Sequence, residues 1–197
     1  YGNSNYGTAV VATISGTSVS FGSATVYESS TTDSTSEVYD ITNQKTVLTY
    51  AGGSAQVGYA KVATISGTSV SFGSRANTSG GGSYTGFYSH SAYDPDTSKV
   101  VNVYANLNNS TRGESVVGTV SGTDISFGSS STFDFGGTEK PVLAYNSVVQ
   151  KMAVFWGDTQ ESRKGEIALG TVGATVDWDN AVTIQSSGRQ DQASLVY

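Results

Sequence analysis

The 197-residue sequence predicts an all-β protein made of tandem four-stranded units, and three observations lead to this prediction. The segment VATISGTSVSFGS occurs identically at residues 11–23 and 62–74, and it returns as VGTVSGTDISFGS at residues 117–129. Short segments alternate apolar and polar residues with the period of two that marks a half-buried strand. Apolar residues at helical spacing are missing, whereas Val, Thr, Tyr and 24 glycines favour strands and tight turns.

The repeat extends to a fourth, more divergent unit. Residues 169–178 (LGTVGATVDW) keep the pattern with one residue deleted and Trp178 in place of the phenylalanine. A second landmark recurs between these segments: a tyrosine with Asp or Asn after it, then a lysine, then an aromatic residue. Its copies are Tyr39-Asp40 with Lys45 and Tyr50, Tyr93-Asp94 with Lys99 and Tyr104, and Tyr145-Asn146 with Lys151 and Trp156. Such self-similarity predicts structural units of about fifty residues.

Each unit is predicted to contain four strands in a fixed order, which we call a, b, c and d. In the second full unit, strand a passes through residues 91–93, strand b covers 99–104, strand c covers 114–120, and strand d begins at 124–127. Gly122 lies in the short c–d turn, where a residue without a side chain can take a positive φ. The aromatic residues near the end of the repeated segment are expected to be buried in like environments; they are Phe21, Phe72, Phe127 and Trp178.

Four antiparallel strands repeated in tandem are typical of a propeller blade, and blades bury their faces by packing on one another. The sequence therefore predicts a β-propeller-like array with an incomplete terminal blade; a linear β-repeat or solenoid is the alternative. Residues 1–197 form one repeat domain, with units at approximately 1–36 (partial), 37–90, 91–141, 142–192 and 193–197 (partial). The incomplete blade predicts either a longer repeat protein or completion by another chain, which would give a homo-oligomer or filament.

Composition excludes several classes of function. The net charge is −6, and ten scattered basic residues do not form the cationic surface that nucleic-acid phosphates require. No apolar run approaches the roughly 18 residues that span a bilayer, so no membrane insertion is expected. Cysteine is absent, which excludes disulfides and thiolate metal sites. Only 13% of residues are charged, as is common in extracellular β-proteins.

The ATISGTSVSFGS units, interleaved with the tyrosine landmark, resemble tandem repeats in tail-fibre and other structural proteins of aquatic bacteriophages and in bacterial surface proteins. The likeness covers nearly the whole chain and fades in the fourth unit. It implies an extracellular or virion-surface location and carries no established chemistry. The c–d hairpin also has a distant likeness to the Asp-box of sialidase-like propellers, although residues 66–72 (SGTSVSF) lack the aspartate.

The sequence offers no convincing catalytic group, cofactor site or metal site. The arginines Arg75, Arg112, Arg163 and Arg189 do not form the converging trio that a sialidase needs. Residues 94–98 (DPDTS) place oxygen ligands at alternate positions as a calcium loop does, but the other units do not keep them, which favours a plain a–b turn. The alternative is a propeller glycosidase or lyase with its site at the channel mouth, where the fourth unit diverges around Asp177, Trp178 and Asp179.

The best candidate for ligand contact is the loop before strand a of the second full unit. It concentrates aromatic and polar side chains suited to stacking on sugars, namely Tyr84, Phe87, Tyr88 and His90. Candidate N-glycosylation acceptors are Asn77, Asn108 and Asn109, each in an Asn-X-Ser/Thr sequence. These features predict a non-catalytic extracellular or virion-surface module for adhesion or fibre building, with a cell-surface glycan or receptor as its partner.

Overall fold

The protein is all-β in the computed structural model, which describes residues 5–78, 82, 84–160 and 164–186. These residues form β-strands joined by turns and contain no α-helix, and one turn of 3-10 helix spans Leu107–Asn109. The prediction of an all-β fold is confirmed. The predicted strand at 193–197 lies outside the described residues, as do Arg163 and Arg189.

The strands form four antiparallel sheets. The N-terminal hairpin contains β2 (Ala12–Ser15) and β3 (Ser18–Phe21). The first sheet contains β1 (Tyr6–Ala9), β4 (Thr25–Asp40), β5 (Lys45–Gly52), β6 (Val57–Ser66), β7 (Ser69–Phe72) and β8 (Ala76–Asn77). The second contains β9 (Phe87–Asp94), β10 (Lys99–Asn106), β11 (Arg112–Ser121), β12 (Asp124–Phe127) and β13 (Ser131–Asp134). The third contains β14 (Thr138–Asn146), β15 (Lys151–Asp158), β16 (Lys164–Val172), β17 (Val176–Trp178) and β18 (Val182–Gln185).

The second and third sheets share one plan, which the first sheet follows from the middle of β4 onward. Strands a, b and c pair in sequence order, and strand c then pairs with a strand d that is split in two. Strand d is interrupted after the repeated phenylalanine, where the amide of the following glycine donates a hydrogen bond to a carbonyl of strand c. Gly73 N donates to Val62 O at 2.9 Å, and Gly128 N donates to Val117 O at 3.0 Å. Gly122 takes φ of 64°, as its turn position predicts.

Both faces of the second sheet are buried, one against the first sheet and the other against the third. Val100 and its same-face neighbours pack on Val47 and Val62 of the first sheet, whereas Val101 and Val103 pack against the third sheet. Because neighbours along a strand point to opposite sides, a strand covered on both sides is apolar at consecutive positions. This explains the run Val100-Val101 in β10.

Neighbouring sheets also make repeated contacts through the landmark tyrosine. The Tyr93 hydroxyl donates to Thr42 Oγ1 at 2.7 Å, and the Tyr145 hydroxyl donates to Asp96 Oδ2, so each reaches back to the a–b turn of the preceding sheet. Hydrogen bonding to Asp96 raises the pKa of Tyr145 to about 12. The recurrence of this tyrosine is therefore a packing feature of the array.

The expectation of like environments for the four aromatic residues is wrong for Phe21. Its side chain is 69% exposed, whereas Phe72, Phe127 and Trp178 are half-buried. Phe72 and Phe127 belong to the six-stranded first sheet and the five-stranded second sheet, but Phe21 lies in the two-stranded N-terminal hairpin, whose eight strand residues are all exposed. Burial of this residue depends on a neighbouring sheet, which the repeat alone cannot supply.

Candidate functional site: a cavity where the repeat is broken

An aromatic residue fills the same place at two of the interfaces between successive units. Tyr27 packs between Tyr50 and Phe72, with ring centroids 5.2 and 5.7 Å apart. Phe133 packs in the same way between Trp156 and Trp178, at 5.1 and 5.7 Å. Each trio takes one ring from the preceding unit and two rings from the following sheet. In both trios the ring from the preceding unit contacts the other two rings.

At the interface between the first and second sheets, the equivalent position is Thr78. The register of strand pairing establishes the equivalence, because Val26, Asn77 and Thr132 occupy matching positions opposite strand c. Thr78 is 3% exposed and faces Tyr104 and Phe127 across a cavity of about 410 Å³. We call this space the interface cavity. Its polar lining residues are Asn77, Thr78, Asn106, Glu114, Ser129 and Ser130.

The loop before β9 adapts to the smaller residue. At the other two interfaces, an aromatic ring and a threonine both lie over a strand-c glycine; at Gly113 these are Phe133 and Thr138. In the middle interface the backbone of Gly86 lies directly against Gly58, so close that a Cβ on Gly86 would be 2.5 Å from the Gly58 Cα. The chain therefore comes nearer at this point, yet it leaves the interface cavity open beside Tyr104.

Glu114 is the acidic group of the interface cavity, and its side chain is largely buried. The Tyr104 hydroxyl donates to Glu114 Oε2 at 3.1 Å, and Asn106 Nδ2 donates to the same oxygen at 3.1 Å. Burial, followed by the nearby carboxylate, raises the pKa of the Tyr104 phenol well above its usual range. Tyr104 therefore stays protonated and acts as a fixed hydrogen-bond donor.

The interface between the N-terminal unit and the first sheet, which we call the first interface, contains a carboxylate whose negative charge is paired with an arginine. Glu28 Oε2 accepts from the Tyr50 hydroxyl at 3.0 Å and from Arg75 Nη1 at 3.2 Å. Burial raises the pKa of Glu28, but the hydrogen bonds from Tyr50 and Arg75 outweigh it and leave the pKa below its ordinary value. Arg75 also stacks on Tyr59, 4.1 Å from the ring centroid. This interface thus supplies its own cation.

The residues predicted to contact a ligand do not line the interface cavity. Tyr84 is 47% exposed, and the Phe87 and Tyr88 rings pack on each other at 5.6 Å in β9. His90 Nδ1 accepts from the Leu143 amide at 3.2 Å, which links the second and third sheets, and burial lowers the pKa of this imidazole. Residues 79–81 and 83 of the same loop lie outside the described residues.

The predicted glycosylation acceptors lie on two different elements. Asn77 is exposed in β8 and borders the interface cavity. Asn108 is exposed and Asn109 half-buried in the 3-10 turn between β10 and β11. Of the three predicted acceptors, Asn77 is the one that lines the interface cavity.

The a–b turns use their acidic or amide side chains to hold the backbone. Asp94 accepts from the Asp96 amide at 3.0 Å and from the Thr97 hydroxyl at 2.6 Å, and Asn146 accepts from the Val148 amide at 2.9 Å. These are Asx-type turns in which the side-chain oxygens already have donors. Within the described chain, no three His, Asp or Glu side chains are arranged to hold a metal ion.

The divergent residues of the fourth unit also have packing partners. Trp178 Nε1 donates to Ser115 Oγ at 2.9 Å, and Asp179 pairs with Lys151 at 2.7 Å. Asp177 is exposed in β17. The structure therefore does not bring these three residues together as a site.

Sequence reasoning missed both Thr78 and Glu114. The signal for Thr78 was present, because it lies six residues after Phe72, just as Tyr27 follows Phe21 and Phe133 follows Phe127 by six. Extending the repeat alignment beyond the SFGS segment would have shown one small residue among aromatic ones. Nothing comparable marks Glu114, since Glu166 occupies the same register position in the third sheet.

Comparison with known proteins finds no family model that matches this chain and no match among curated proteins. The described part of the chain also contains no helix with the length and apolar character needed to cross a bilayer.

Proposed function

We propose that this chain is a non-catalytic adhesion module of an extracellular or virion-surface protein, and that the interface cavity holds its ligand, a glycan. The observation that carries the proposal is the break in the repeat at Thr78. Two interfaces have an aromatic ring at this position, whereas the interface between the first and second sheets has Thr78 there and a polar cavity of about 410 Å³ beside it. Ligand pockets have volumes from roughly 300 Å³ upward, so the interface cavity is large enough for a small ligand.

The number of carboxyl groups in the interface cavity supports binding without turnover. Most glycosidases place two carboxyl groups on opposite sides of the scissile bond. Glu114 is the one carboxylate among the residues that line the interface cavity. A glycosidase or lyase elsewhere on the module is the alternative, and turnover of any glycan by the purified protein would favour it.

The proposed architecture is a propeller-like array in which the sheets are blades. Contacts between neighbouring first strands support it: the Tyr88 amide of β9 donates to Ser34 Oγ of β4 at 3.1 Å, and the Leu143 amide of β14 donates to His90 of β9. Blades that radiate from a common axis meet most closely along these inner strands. In a linear repeat, the distance between equivalent positions of two units would be the same on the inner strands as on the outer strands.

Spin-label distances test this architecture, because the cysteine-free chain accepts labels only at introduced cysteines. One pair would be placed at the inner a–b turns, at Ile41 and Val148, and one on the outer hairpins, at Ser71 and Asp177; all four residues are exposed. A clearly longer outer distance supports radiating blades. Equal distances support the linear repeat.

A binding assay with two variants tests the proposed ligand site. Immobilised glycans covering neutral, acidic and amino sugars would be probed with the full chain, and isothermal titration would measure any hit. Thr78→Leu adds apolar volume to the interface cavity and should abolish binding, whereas Thr171→Leu, at an exposed position of β16, should leave it unchanged. Equal binding by both variants and the parent would contradict the proposed site.

Self-association is a second candidate function, favoured by the exposed apolar face of the N-terminal hairpin. Ile14 is 75% exposed, Val19 55% and Phe21 69%. A second, mostly apolar cavity of about 400 Å³ lies between residues 8–12 and the first sheet, with Leu48 and Phe72 on its wall. Apolar surface of this kind marks an association site, and a second copy of the repeat carries the complementary strands.

Sedimentation velocity and electron microscopy test self-association. Oligomers or regular fibres that disappear in Ile14→Ser/Phe21→Ser support it. A Val148→Ser/Val149→Ser variant, changed in the exposed a–b turn of the third sheet, is the control. A parent protein that stays monomeric at high concentration rejects this second function and leaves the glycan site untouched.

A further inference from the structure

We infer that the interface cavity selects an amino sugar, a monosaccharide unit with a free primary ammonium group that pairs with Glu114. This inference rests on the proposed function, because it names the ligand class of the same cavity. It is carried by the charge balance of the cavity, by its hydrogen-bonding groups and by comparison with the first interface.

Glu114 lacks a cationic partner in the described part of the chain. The residue is 8% exposed, and no described Lys or Arg nitrogen lies within 4.0 Å of its carboxylate. Arg112, two residues earlier on β11, lies instead over the Phe135 ring at 5.6 Å. A buried carboxylate without a counter-charge is costly, and a cationic donor offsets that cost.

The first interface shows which partner is missing. Its carboxylate, Glu28, accepts from the buried Tyr50 as Glu114 accepts from Tyr104, and Arg75 supplies the positive charge. Arg75 follows Phe72 by three residues, and the residue three after Phe127 is Ser130, which lines the interface cavity. The repeat therefore places a hydroxyl where the first interface has a guanidinium, and the ligand would supply the cation.

The remaining acceptor capacity of Glu114 is suited to an ammonium group. Both hydrogen bonds that the described residues give to the carboxylate end on Oε2, so Oε1 receives none from them. A primary ammonium is a point charge with three donors, and a charge-assisted hydrogen bond to a carboxylate is about twice as strong as a neutral one. One such bond to Oε1 would complete the pairing.

The rest of the wall favours a sugar over an alkylamine. Around Glu114 stand the amides of Asn77 and Asn106 and the hydroxyls of Ser129 and Ser130. These groups both donate and accept, as a ring of sugar hydroxyls requires, and Phe127 adds an aromatic surface on the same wall. A lysine side chain would bring four methylene groups against this polar lining.

Isothermal titration of the full chain with three sugars and Nα-acetyl-lysine tests the inference. The sugars are D-glucosamine, D-glucose and N-acetyl-D-glucosamine, at a pH where the free amine is protonated. Glucosamine is expected to bind at least about tenfold more tightly than glucose, since a hydrogen bond to a charged group is worth that factor or more. N-acetyl-D-glucosamine, which has lost the charge, should bind no better than glucose.

Three variants assign the preference to the carboxylate. Glu114→Gln keeps the shape and should remove the preference for glucosamine. Ser130→Arg provides a guanidinium where Arg75 stands in the first interface, and it should also remove the preference. Glu166→Gln changes the equivalent residue of the third sheet and should keep it. A cooperative unfolding transition shows that each variant is folded, and Ser130→Arg leaves Glu114 itself intact.

The possible outcomes separate this inference from the proposed function. Equal affinity for glucosamine and glucose, both lost in Thr78→Leu, overturns the amino-sugar selectivity and keeps the glycan site. A preference for Nα-acetyl-lysine over glucosamine also overturns the inference, because it assigns the cavity to a protein side chain. Absence of binding to any sugar in this assay and on the glycan panel overturns both.

Discussion

Gly73 lies so close to the carbonyl oxygen of Thr123 that a Cβ on this glycine would overlap the oxygen. The contact joins the phenylalanine-glycine pair of one unit to the c–d turn of the next. It recurs between Gly22 and Thr68, and in a looser form between Gly128 and Ala174, where the same Cβ would be 3.0 Å from the oxygen. Close approach of two backbones thus explains why glycine follows the phenylalanine in the repeated segment.

This contact predicts that Gly73→Ala is destabilising. The added methyl must push the second sheet away from the first, and overpacking of this kind costs about 1–3 kcal/mol. Urea unfolding followed by tyrosine and tryptophan fluorescence gives the free energy of unfolding. Gly128→Ala is the matched control and should cost clearly less, because its contact is looser. Equal losses for the two variants would show that the turn contact is not the cause.

Filling the interface cavity should stabilise the fold. Thr78→Leu brings extra apolar atoms against Tyr104 and Phe127, and each buried methylene contributes about 0.8 kcal/mol. We choose leucine over phenylalanine because the Gly86 backbone already lies against Gly58. The free energy of unfolding should rise by about 1 kcal/mol over the parent. Thr78→Val replaces the hydroxyl with a methyl group and so separates cavity filling from loss of the polar group. If Thr78→Leu is no more stable than Thr78→Val, cavity filling is not the cause of the gain.

The Glu28 carboxylate should stabilise the fold at neutral pH and lose this effect in acid. Its pKa in the folded protein is lower than in the unfolded chain, where a glutamate titrates near about 4.3. The folded state therefore gains from the charged form above that pH, and the gain disappears as the pH falls through the lower folded pKa. Glu28→Gln should be less stable than the parent by about 1 kcal/mol at pH 7.

Thermal unfolding of the parent and Glu28→Gln across the acid range measures this dependence. The two melting temperatures should converge as the pH is lowered below about 4. Glu37→Gln, changed at an exposed glutamate of β4, serves as the control for the loss of one carboxylate from this strand. A constant difference between parent and Glu28→Gln at all pH values would contradict a role for the charged form.

His90 should make stability depend on pH below about 6.5, where a histidine of the unfolded chain gains its proton. It is the one histidine of the chain, and its neutral Nδ1 accepts from the Leu143 amide. Burial lowers the pKa of His90, and Glu37 partly opposes this. The unfolded chain, with a histidine pKa near about 6.5, then binds more protons than the folded one. Stability is full above that pH and declines as the pH falls toward the folded pKa.

Urea midpoints of the parent and His90→Gln at several pH values between about 5 and 8 test this prediction. The parent should lose stability toward the acid end of the range, and the variant should stay flat over the same interval. A parent curve that is also flat would show that His90 has the same pKa in the folded and unfolded chains.

The sequence by itself determined the local structure of the repeat. Alternation and turn chemistry fixed the strand at Asp124–Phe127 and the positive φ of Gly122, because these depend on neighbours along the chain. The split of strand d was not predicted. It arises from the hydrogen bond between Gly128 N and Val117 O, and no pattern within the segment shows that bond.

Only the tertiary structure decided the burial of the aromatic residues and the position of the interface cavity. Phe21 and Phe72 occupy the same position in identical thirteen-residue segments, yet one is exposed and the other half-buried, because burial is set by the sheet that packs on each. The interface cavity likewise depends on Thr78, which follows β8 of the first sheet, and on Tyr104 and Glu114 from two strands of the second sheet. Sequence records local backbone preference, whereas a cavity exists only where distant strands meet and one side chain is too small to fill the gap.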